Sequence, residues 1–196
     1  TKDITGAIED DADTAATFDG VDGLVNCGTL GNFGSLRSSG VTLECWFKTD
    51  NANEKTLMGV ENAEDIRLYM NAGKVYFLMA DDNYNFLVHT DADGYDDDTW
   101  HHVAAVWKKS GNTVKIYLDG AEMDITYDTT PVGNLGTFTN LSGDFYVGAN
   151  NDGGTDTPFD GELDEVAIYT SALDESDIFI HYNIGIGTGT IFNVTA

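Results

Sequence analysis

The chain has 196 residues, of which 41% are hydrophobic, and it contains 22 Gly, 2 Pro and 2 Cys. This size fits one domain with a sizeable core, and frequent glycine with scarce proline is typical of a β-rich fold with many tight turns. Its 9 Lys and Arg residues against 34 Asp and Glu residues give a net charge of −25, so we expect it to bind neither nucleic acid nor anionic membranes. No apolar run approaches the ~20 residues needed to cross a bilayer, so we expect no membrane insertion.

The predicted elements begin after a polar arm at 1–15, whose residues 9–13 are mostly acidic. Period-two alternation of apolar and polar residues, bounded by Gly, Asn and Asp turns, predicts strands from there onward. These strands lie at 16–26, 41–49, 55–60, 65–71, 74–80, 85–90, 100–108, 113–119, 122–128, 144–149 and 162–170. We therefore expect one domain at 16–183, followed by a glycine-rich tail or final strand at 184–196.

One short helix is predicted near 175–183, at the end of this domain. Asp174 is placed to cap it through its carboxylate, with Asp177 at the third helical position. Gly185 is expected just beyond the last turn, where glycine commonly ends a helix.

The segment 98–120 carries the most specific pattern in the chain. Trp100 opens one alternating strand, 108–112 form a polar turn, and a second strand closes on Tyr117, Leu118 and an Asp-Gly turn. This order resembles the central hairpin of laminin-G-like domains in the concanavalin A-like lectin and glucanase superfamily. Further segments resemble other elements of that family in the family's order, at 17–25, 41–49, 145–149, 159–169 and 172–178. The resemblance implies an all-β fold, a two-sheet antiparallel β-sandwich of the jelly-roll type with one short C-terminal helix.

The fold hosts many activities, so function has to be argued from sites. Retaining glucanases of this superfamily use acids in the pattern Glu-x-Asp-x-Glu, with two carboxyl groups on one face. Here Glu162 and Asp164 share a face, but Val166 takes the third acidic position, and alternation points Glu165 the other way. We therefore expect that the chain is not an enzyme. We expect instead a non-catalytic extracellular recognition module that binds a glycan or a surface ligand with the help of calcium. The alternatives are a structural or assembly subunit of a virion surface or extracellular filament, and a glycoside hydrolase.

Calcium takes oxygen ligands from carboxylates, amides and carbonyls, and the acidic loops supply them. Asp19, Asp22 and Asp164 are candidates for a structural site, because related carbohydrate-binding modules carry a calcium ion where the first and last strands meet. Asp19 and Asp22 each precede a glycine, so both are equally well explained as turn residues.

A second calcium site is implied by resemblance to the pentraxins. Their calcium loops correspond to residues that follow two of the matching strands, namely Asp50 and Asn51, then Asn150, Asn151 and Asp152. The match is partial, since Asn150 stands where the family has a carboxylate. The alternative is a solvated loop without an ion.

Sugar sites combine aromatic rings with amides and carboxylates that hydrogen-bond hydroxyl groups. Residues of this kind that look exposed, and that we predict to contact ligand, are Trp46, Tyr69, Asn83, Tyr84, Asn85 and Tyr95. Trp46 also has a core interpretation, because it lies on a strand between apolar neighbours. The expected partner is a carbohydrate or a cell-surface protein, with self-assembly through the termini as a further option, at an extracellular or a cell or virion surface location.

Cys27 and Cys45 lie on predicted early strands. They form a disulfide if those strands bring their Cα atoms within about 7 Å, and otherwise they remain buried free thiols. Neither has the CxxC spacing of a zinc site. The sequence leaves the two arrangements open.

Overall fold

Two facing antiparallel sheets and one helix form the computed structural model, which describes residues 4–8, 13–29, 39–60, 66–80, 85–129, 143–150 and 156–188. The strands are β1 (Ile4–Thr5), β2 (Thr14–Asp19), β3 (Val25–Thr29), β4 (Gly40–Lys48), β5 (Lys55–Val60), β6 (Ile66–Asn71), β7 (Lys74–Ala80), β8 (Asn85–Thr90), β9 (His101–Lys108), β10 (Thr113–Leu118), β11 (Ala121–Glu122), β12 (Ile125–Thr129), β13 (Asp144–Val147) and β14 (Asp160–Tyr169). The helix is α1 (Glu175–Gly185). The predicted all-β sandwich with a short C-terminal helix is confirmed.

The first sheet has the order β1-β2-β14-β4-β9-β10-β11, and the second has the order β12-β8-β7-β6-β5-β13-β3. Strand β14 lies between β2 and β4, so the last strand of the described residues pairs with two strands from the first 48 residues. Each inner sheet face is apolar because alternate strand positions point into the sandwich. Phe47, Phe77 and Trp107 are among the fully buried side chains there. The outer face of the first sheet is partly covered by α1.

The predicted strand at 16–26 is wrong in one respect, because the structure divides it into β2 and β3 in different sheets. The cause is a side-chain turn at Asp19. Its Oδ1 accepts hydrogen bonds from the backbone N–H groups of Val21 (3.0 Å) and Asp22 (3.4 Å), and Gly20 follows at φ 71°. A short polar side chain bonded to its own backbone breaks a strand. The predicted strand at 122–128 is likewise divided, into β11 and β12.

Two-residue turns form where glycine follows a left-handed residue. Ala72 and Gly73 have φ values of 51° and 71°, and Asp119 and Gly120 have values of 50° and 76°. Positive φ at both central positions matches the right-handed twist of the flanking strands. The predicted central hairpin is also confirmed, with Lys108 of β9 opposite Thr113 of β10.

Helix α1 begins as predicted, since Asp174 accepts the N–H of Asp177 at 3.1 Å and Asp177 reciprocates at 3.4 Å. The expected end is wrong, because the helix includes Gly185. A Cβ at Gly185 would lie 2.2 Å from Cζ2 of Trp46, so glycine is needed for close packing on the sheet. Ile178 packs on Ala104 and completes the contact of α1 with the outer face of the first sheet.

Among the described residues, no helix has both the length and the apolar character needed to span a membrane.

The two cysteines are free and lie in different sheets, Cys27 exposed on β3 and Cys45 buried on β4. Burial raises the pKa of both thiols, so neither is poised as a thiolate.

Candidate functional site

The outer face of the second sheet carries a row of stacked rings on three adjacent strands. Tyr69 on β6 lies opposite Tyr76 on β7, which lies opposite His89 on β8. The ring centroids are 4.9 Å apart for Tyr69 and Tyr76 and 5.0 Å apart for Tyr76 and His89, with interplanar angles of 19° and 29°. Because their sequence neighbours fill the core, alternation directs all three rings outward. The register between the strands therefore brings together three rings that are not close to one another in the sequence.

Arg67 fixes one end of the ring row. Its guanidinium carbon lies 4.3 Å from the centroid of Tyr69. Its Nε donates to Thr56 Oγ1 at 3.0 Å, and its Nη2 donates to Thr157 Oγ1 at 3.1 Å and pairs with Glu54. The charge of Arg67 is thus largely committed to partners within the chain, and its main contribution is to hold the ring of Tyr69 in place.

The polar groups of this face stay neutral or paired near neutral pH. Burial raises the pKa of Tyr69 to about 12 and raises that of Tyr76 as well, so both present phenol groups. At the other end of the row, Nδ1 of His89 lies 2.9 Å from Oδ2 of Asp128. Asn85 adds an exposed amide on the same face, four residues before His89 on β8. Phenol, amide and imidazole groups of this kind hydrogen-bond hydroxyl-rich ligands.

An acidic cluster lies where the start of β2 meets β14 in the first sheet. Carboxylate oxygens of Asp13, Asp164 and Glu165 lie within 4.8 Å of one another. The buried Asp164 accepts the N–H of Ala7 at Oδ2 (2.8 Å) and the N–H of Glu165 at Oδ1 (3.1 Å). The expected opposite orientation of Glu165 is wrong, because a β-bulge between Asp164 and Ala167 gives Glu165 a φ of 48°. The bulge lets its carboxylate join the cluster.

A buried carboxylate ties β4, β9 and α1 together on the outer face of the first sheet. Glu44 is 4% exposed, and its Oε1 lies 2.8 Å from Nε2 of His102 and 3.0 Å from Nδ1 of His181. Burial alone raises the pKa of Glu44, but the hydrogen bonds and charges of the two histidines outweigh it and hold that pKa below its ordinary value. Burial, together with the charge and hydrogen bond of Glu44, raises the pKa of Tyr169 to about 12. Glu44 is thus an ionised carboxylate that lies between two histidines and raises the pKa of a neighbouring tyrosine.

The predicted ligand residues fall at three separate places. Tyr69 and Asn85 share the outer face of the second sheet, but Tyr69 is only 8% exposed there, in contrast to the exposure expected from the sequence. Trp46 is buried under α1 and stacks on Tyr182 at 5.8 Å. Tyr95 packs edge-on to a histidine of β9 at 5.2 Å and so lies at the edge of the core. The remaining two, Asn83 and Tyr84, lie outside the described residues.

In the first predicted calcium set, Asp19 and Asp22 lie apart from Asp164. Asp19 pairs with Asp160, four residues before Asp164 on β14, a separation of about 13 Å along an extended strand. The carboxylate of Asp19 caps its own turn, and the hydrogen bonds it accepts lower its pKa. Asp22 is exposed beside that turn. The carboxylate that lies close to that of Asp164 belongs to Asp13, which the strand alternation in the sequence did not identify as a candidate.

Three residues of the second predicted calcium set, Asp50, Asn51 and Asn150, lie in loops that follow strands of the sandwich. Asp50 is exposed, and Asn51 donates from Nδ2 to Oδ2 of Asp160 at 3.0 Å. Asn150 forms an isolated backbone bridge with Asp156. The other two predicted ligands, Asn151 and Asp152, lie outside the described residues. This set therefore stays a prediction.

Comparison with known families gives a match over residues 19–179 to the family described as the concanavalin A-like lectin/glucanases superfamily. No curated protein matches the chain significantly.

Several solved structures share the fold at low sequence identity. A CBM40 module of the Ruminococcus gnavus IT-sialidase, bound to α2,6 sialyllactose, has a TM-score of 0.63 at 15% identity and covers 87% of this chain and 97% of its own. The native heptameric SAP-like pentraxin of Limulus polyphemus has a TM-score of 0.54 at 17% identity, covering 73% and 69%. Domains LG4-5 of the mouse laminin α1 chain have a TM-score of 0.58 at 15% identity, covering 79% and 41%. At identities this low, the structural similarity shows that the fold is shared and shows nothing about function.

Proposed function

Because the chain belongs to the concanavalin A-like lectin/glucanases superfamily, we propose that it is a non-catalytic recognition module that binds a glycan on the outer face of its second sheet. The observation that carries this proposal is the ring row of Tyr69, Tyr76 and His89, which sets aromatic carbon beside hydroxyl-binding groups. A related fold that is a carbohydrate-binding module with bound sialyllactose supports the ligand class.

The ligand we propose is a neutral glycan. Arg67 is the cation that stacks on the ring row, and its Nη2 is paired with Glu54, so little of its charge is left for an acidic sugar. The chain as a whole carries a net charge of −25, which repels anions. Neutral phenols and the amide of Asn85 suit hydroxyl groups instead.

Replacing Tyr76 by alanine should weaken glycan binding at least tenfold, because the central ring of the row is lost. Wild type and variant are compared on an array of neutral and sialylated glycans, followed by calorimetry on the best ligand. Tyr127→Ala is the matched control, since Tyr127 lies on β12 beyond this row and is 36% exposed. Equal loss in the control, or a consistent preference for sialylated over matched neutral glycans, would contradict the proposal.

We further propose that calcium binds the acidic cluster and steadies the junction of the first and last strands. Asp13, Asp164 and Glu165 offer only oxygen ligands, the chemistry that Ca²⁺ prefers, and a cation would offset their mutual repulsion. An extracellular or cell-surface setting, which we also propose, supplies calcium at the concentrations that weak sites of this type need.

Saturating calcium should raise the melting temperature of the chain by about 2–4 °C, because an ion that binds only the folded state stabilises it. Asp164→Asn should abolish the shift, since Asp164 lies at the centre of the cluster. Asp19→Asn should retain it, because an amide can still cap the turn at that position. Melting curves are recorded in calcium and in chelator. Identical curves for the wild type, or loss of the shift in Asp19→Asn alone, would count against this site.

The absence of catalysis is part of the proposal. Both oxygens of Asp164 accept backbone N–H groups, and Glu162 lies 3.9 Å from Nζ of Lys48, so the two acids on this face have structural partners. Hydrolysis of a β-glucan by the purified chain would overturn the non-catalytic assignment.

A further inference from the structure

The side of α1 that points away from the first sheet exposes apolar side chains. Phe179 is 56% exposed and Ile180 is 54% exposed, and Ile184 and Ile186 are exposed as well. The 3.6-residue period places Ile184 one turn after Ile180 on the same face, with Phe179 at its margin. We call these four side chains the α1 stripe. Exposed apolar residues that are scattered singly are ordinary, whereas four within eight residues form a patch of the kind that marks interaction sites.

The attachment of α1 to the sheet does not depend on this stripe. The opposite side of the helix supplies that attachment through Ile178, which is fully buried, and through Gly185, which packs on Trp46. His181 adds a polar link to Glu44. Exposing four large apolar groups to water gains nothing for the fold, so we interpret the stripe as a surface that a partner covers.

The charges beside the stripe select the kind of partner. The first turn of α1 and its cap are acidic, with exposed carboxylates on Asp174, Glu175 and Asp177, and the last turn has no basic residue. Asp174 and Glu175 line a shallow groove that ends at Phe179. Lys108 on β9 offsets part of this charge, since it lies near Asp174. Three carboxylates against one ammonium group leave the border of the stripe negative.

Charge complementarity also decides against a second copy of this chain as the partner. Each copy would bring an acidic first turn and a net charge of −25, so the two copies would repel each other on approach. A segment that carries lysine or arginine is attracted instead, and its own apolar side chains can cover the stripe.

We infer that the α1 stripe is a docking surface for a protein segment that presents apolar side chains flanked by lysine or arginine. The apolar side chains lie on Phe179 and Ile180, and the cations lie beside Glu175 and Asp177. The ring row is on the outer face of the other sheet and shares no residue with the stripe. The docking surface and the glycan site are therefore tested independently.

The probe is a short amphipathic helical peptide of leucine and lysine, with the leucines on one face and the lysines on the other. Two control peptides keep its length, and glutamine replaces the leucines in the first and the lysines in the second. Fluorescence anisotropy titration with the full chain at about 0.15 M ionic strength should show saturable binding of the probe. The first control should bind at least tenfold more weakly and the second at least threefold more weakly. Equal binding of either control overturns the inference, and so does a lack of binding, which is expected if a second copy or another segment of the chain covers the stripe.

A double variant locates the binding of the probe on α1. Phe179→Ser combined with Ile180→Ser should weaken it at least tenfold, because the two most exposed side chains of the stripe are lost. Val21→Ser is the matched control and should bind as the wild type does, since Val21 is an exposed apolar residue that follows β2 and lies outside α1. Circular dichroism melting verifies that each variant is folded. Unchanged affinity in the double variant, or an equal loss in the control, would refute the location.

A charge variant tests the acidic border of the stripe separately. Glu175→Gln should weaken binding of the probe about threefold and reduce its dependence on salt, since it removes one charge and keeps the shape. Glu122→Gln is the control, because Glu122 is an exposed carboxylate on the edge strand β11. An equal effect of the two substitutions would show that the net charge of the chain attracts the probe, and would contradict a partner selected by the first turn of α1.

Discussion

Replacing Glu44 by alanine should lower the free energy of unfolding by about 3 kcal/mol, because a buried and a half-buried histidine lose their carboxylate partner at once. His102 is 1% exposed and has no alternative partner for Nε2 among the described residues. His181 would lose the same carboxylate, and with it α1 would lose its polar link to β4. Urea denaturation of wild type and variant measures the difference.

The matched control for this substitution is Glu122→Ala. Glu122 is exposed and its ion pair with Lys115 (2.6 Å) is on the surface, so its loss should cost no more than about 1 kcal/mol. A loss for Glu44→Ala as small as that of the control would show that the buried network adds nothing to stability.

The same network gives stability a definite pH dependence. The folded-state pKa of Glu44 lies below its ordinary value of 4.5, so its contribution is fully present above that pH and is lost as the pH falls through the lowered pKa. The difference in stability between wild type and Glu44→Gln should therefore shrink below about pH 4.5. A difference that grew on acidification would contradict an ionised Glu44.

Replacing Gly185 by alanine should lower the free energy of unfolding by about 2 kcal/mol. The added Cβ would lie 2.2 Å from Trp46 Cζ2, and Trp46 has little room to move because it also packs on His102 and Tyr182. Overpacking costs up to about 3 kcal/mol, whereas alanine gains about 1 kcal/mol over glycine within a helix, so the steric effect prevails. Urea denaturation gives the loss, and near-UV circular dichroism reports the displacement of Trp46.

Gly23→Ala is the control for this second substitution. It also adds one methyl group to a glycine whose φ is not left-handed, but the nearest atoms lie 3.5 Å away, an ordinary contact. Its stability should change by less than about 0.5 kcal/mol. If Gly185→Ala proved as stable as this control, α1 would not be packed on Trp46 as closely as the structure places it.

Several features of the fold follow directly from local sequence. Strands β4, β9 and β10 were predicted from the alternation of their side chains and from the turn residues that bound them, although β4 and β9 are buried on both faces in the structure. The turns at Ala72 and Asp119, each before a glycine, and the cap at Asp174 depend on side chains and φ values within four residues. Interactions between residues this close in the sequence can be predicted without the tertiary structure.

The candidate sites depend on contacts between residues that are far apart in the sequence. Glu44 and His181 are 137 residues apart, and the rings of Tyr69, Tyr76 and His89 meet through strand register. Glu44 could have been singled out from the sequence, because it is an acid on the apolar strand predicted at 41–49. Its sequence neighbours, however, do not indicate its partners. Glu165 was assigned to the wrong face because a bulge interrupts the alternation that such predictions assume.

By itself, the sequence determined the all-β class, the central hairpin, the capped helix and the acidic surface, because periodicity, turn chemistry and charge are properties of short segments. Only the tertiary structure decided that Trp46 lies beneath α1, that Asp13 rather than Asp19 joins Asp164, and that three rings form one row. The physical reason is that strand order and register set which distant side chains meet, and a single bulged residue reverses the face on which the next one lies.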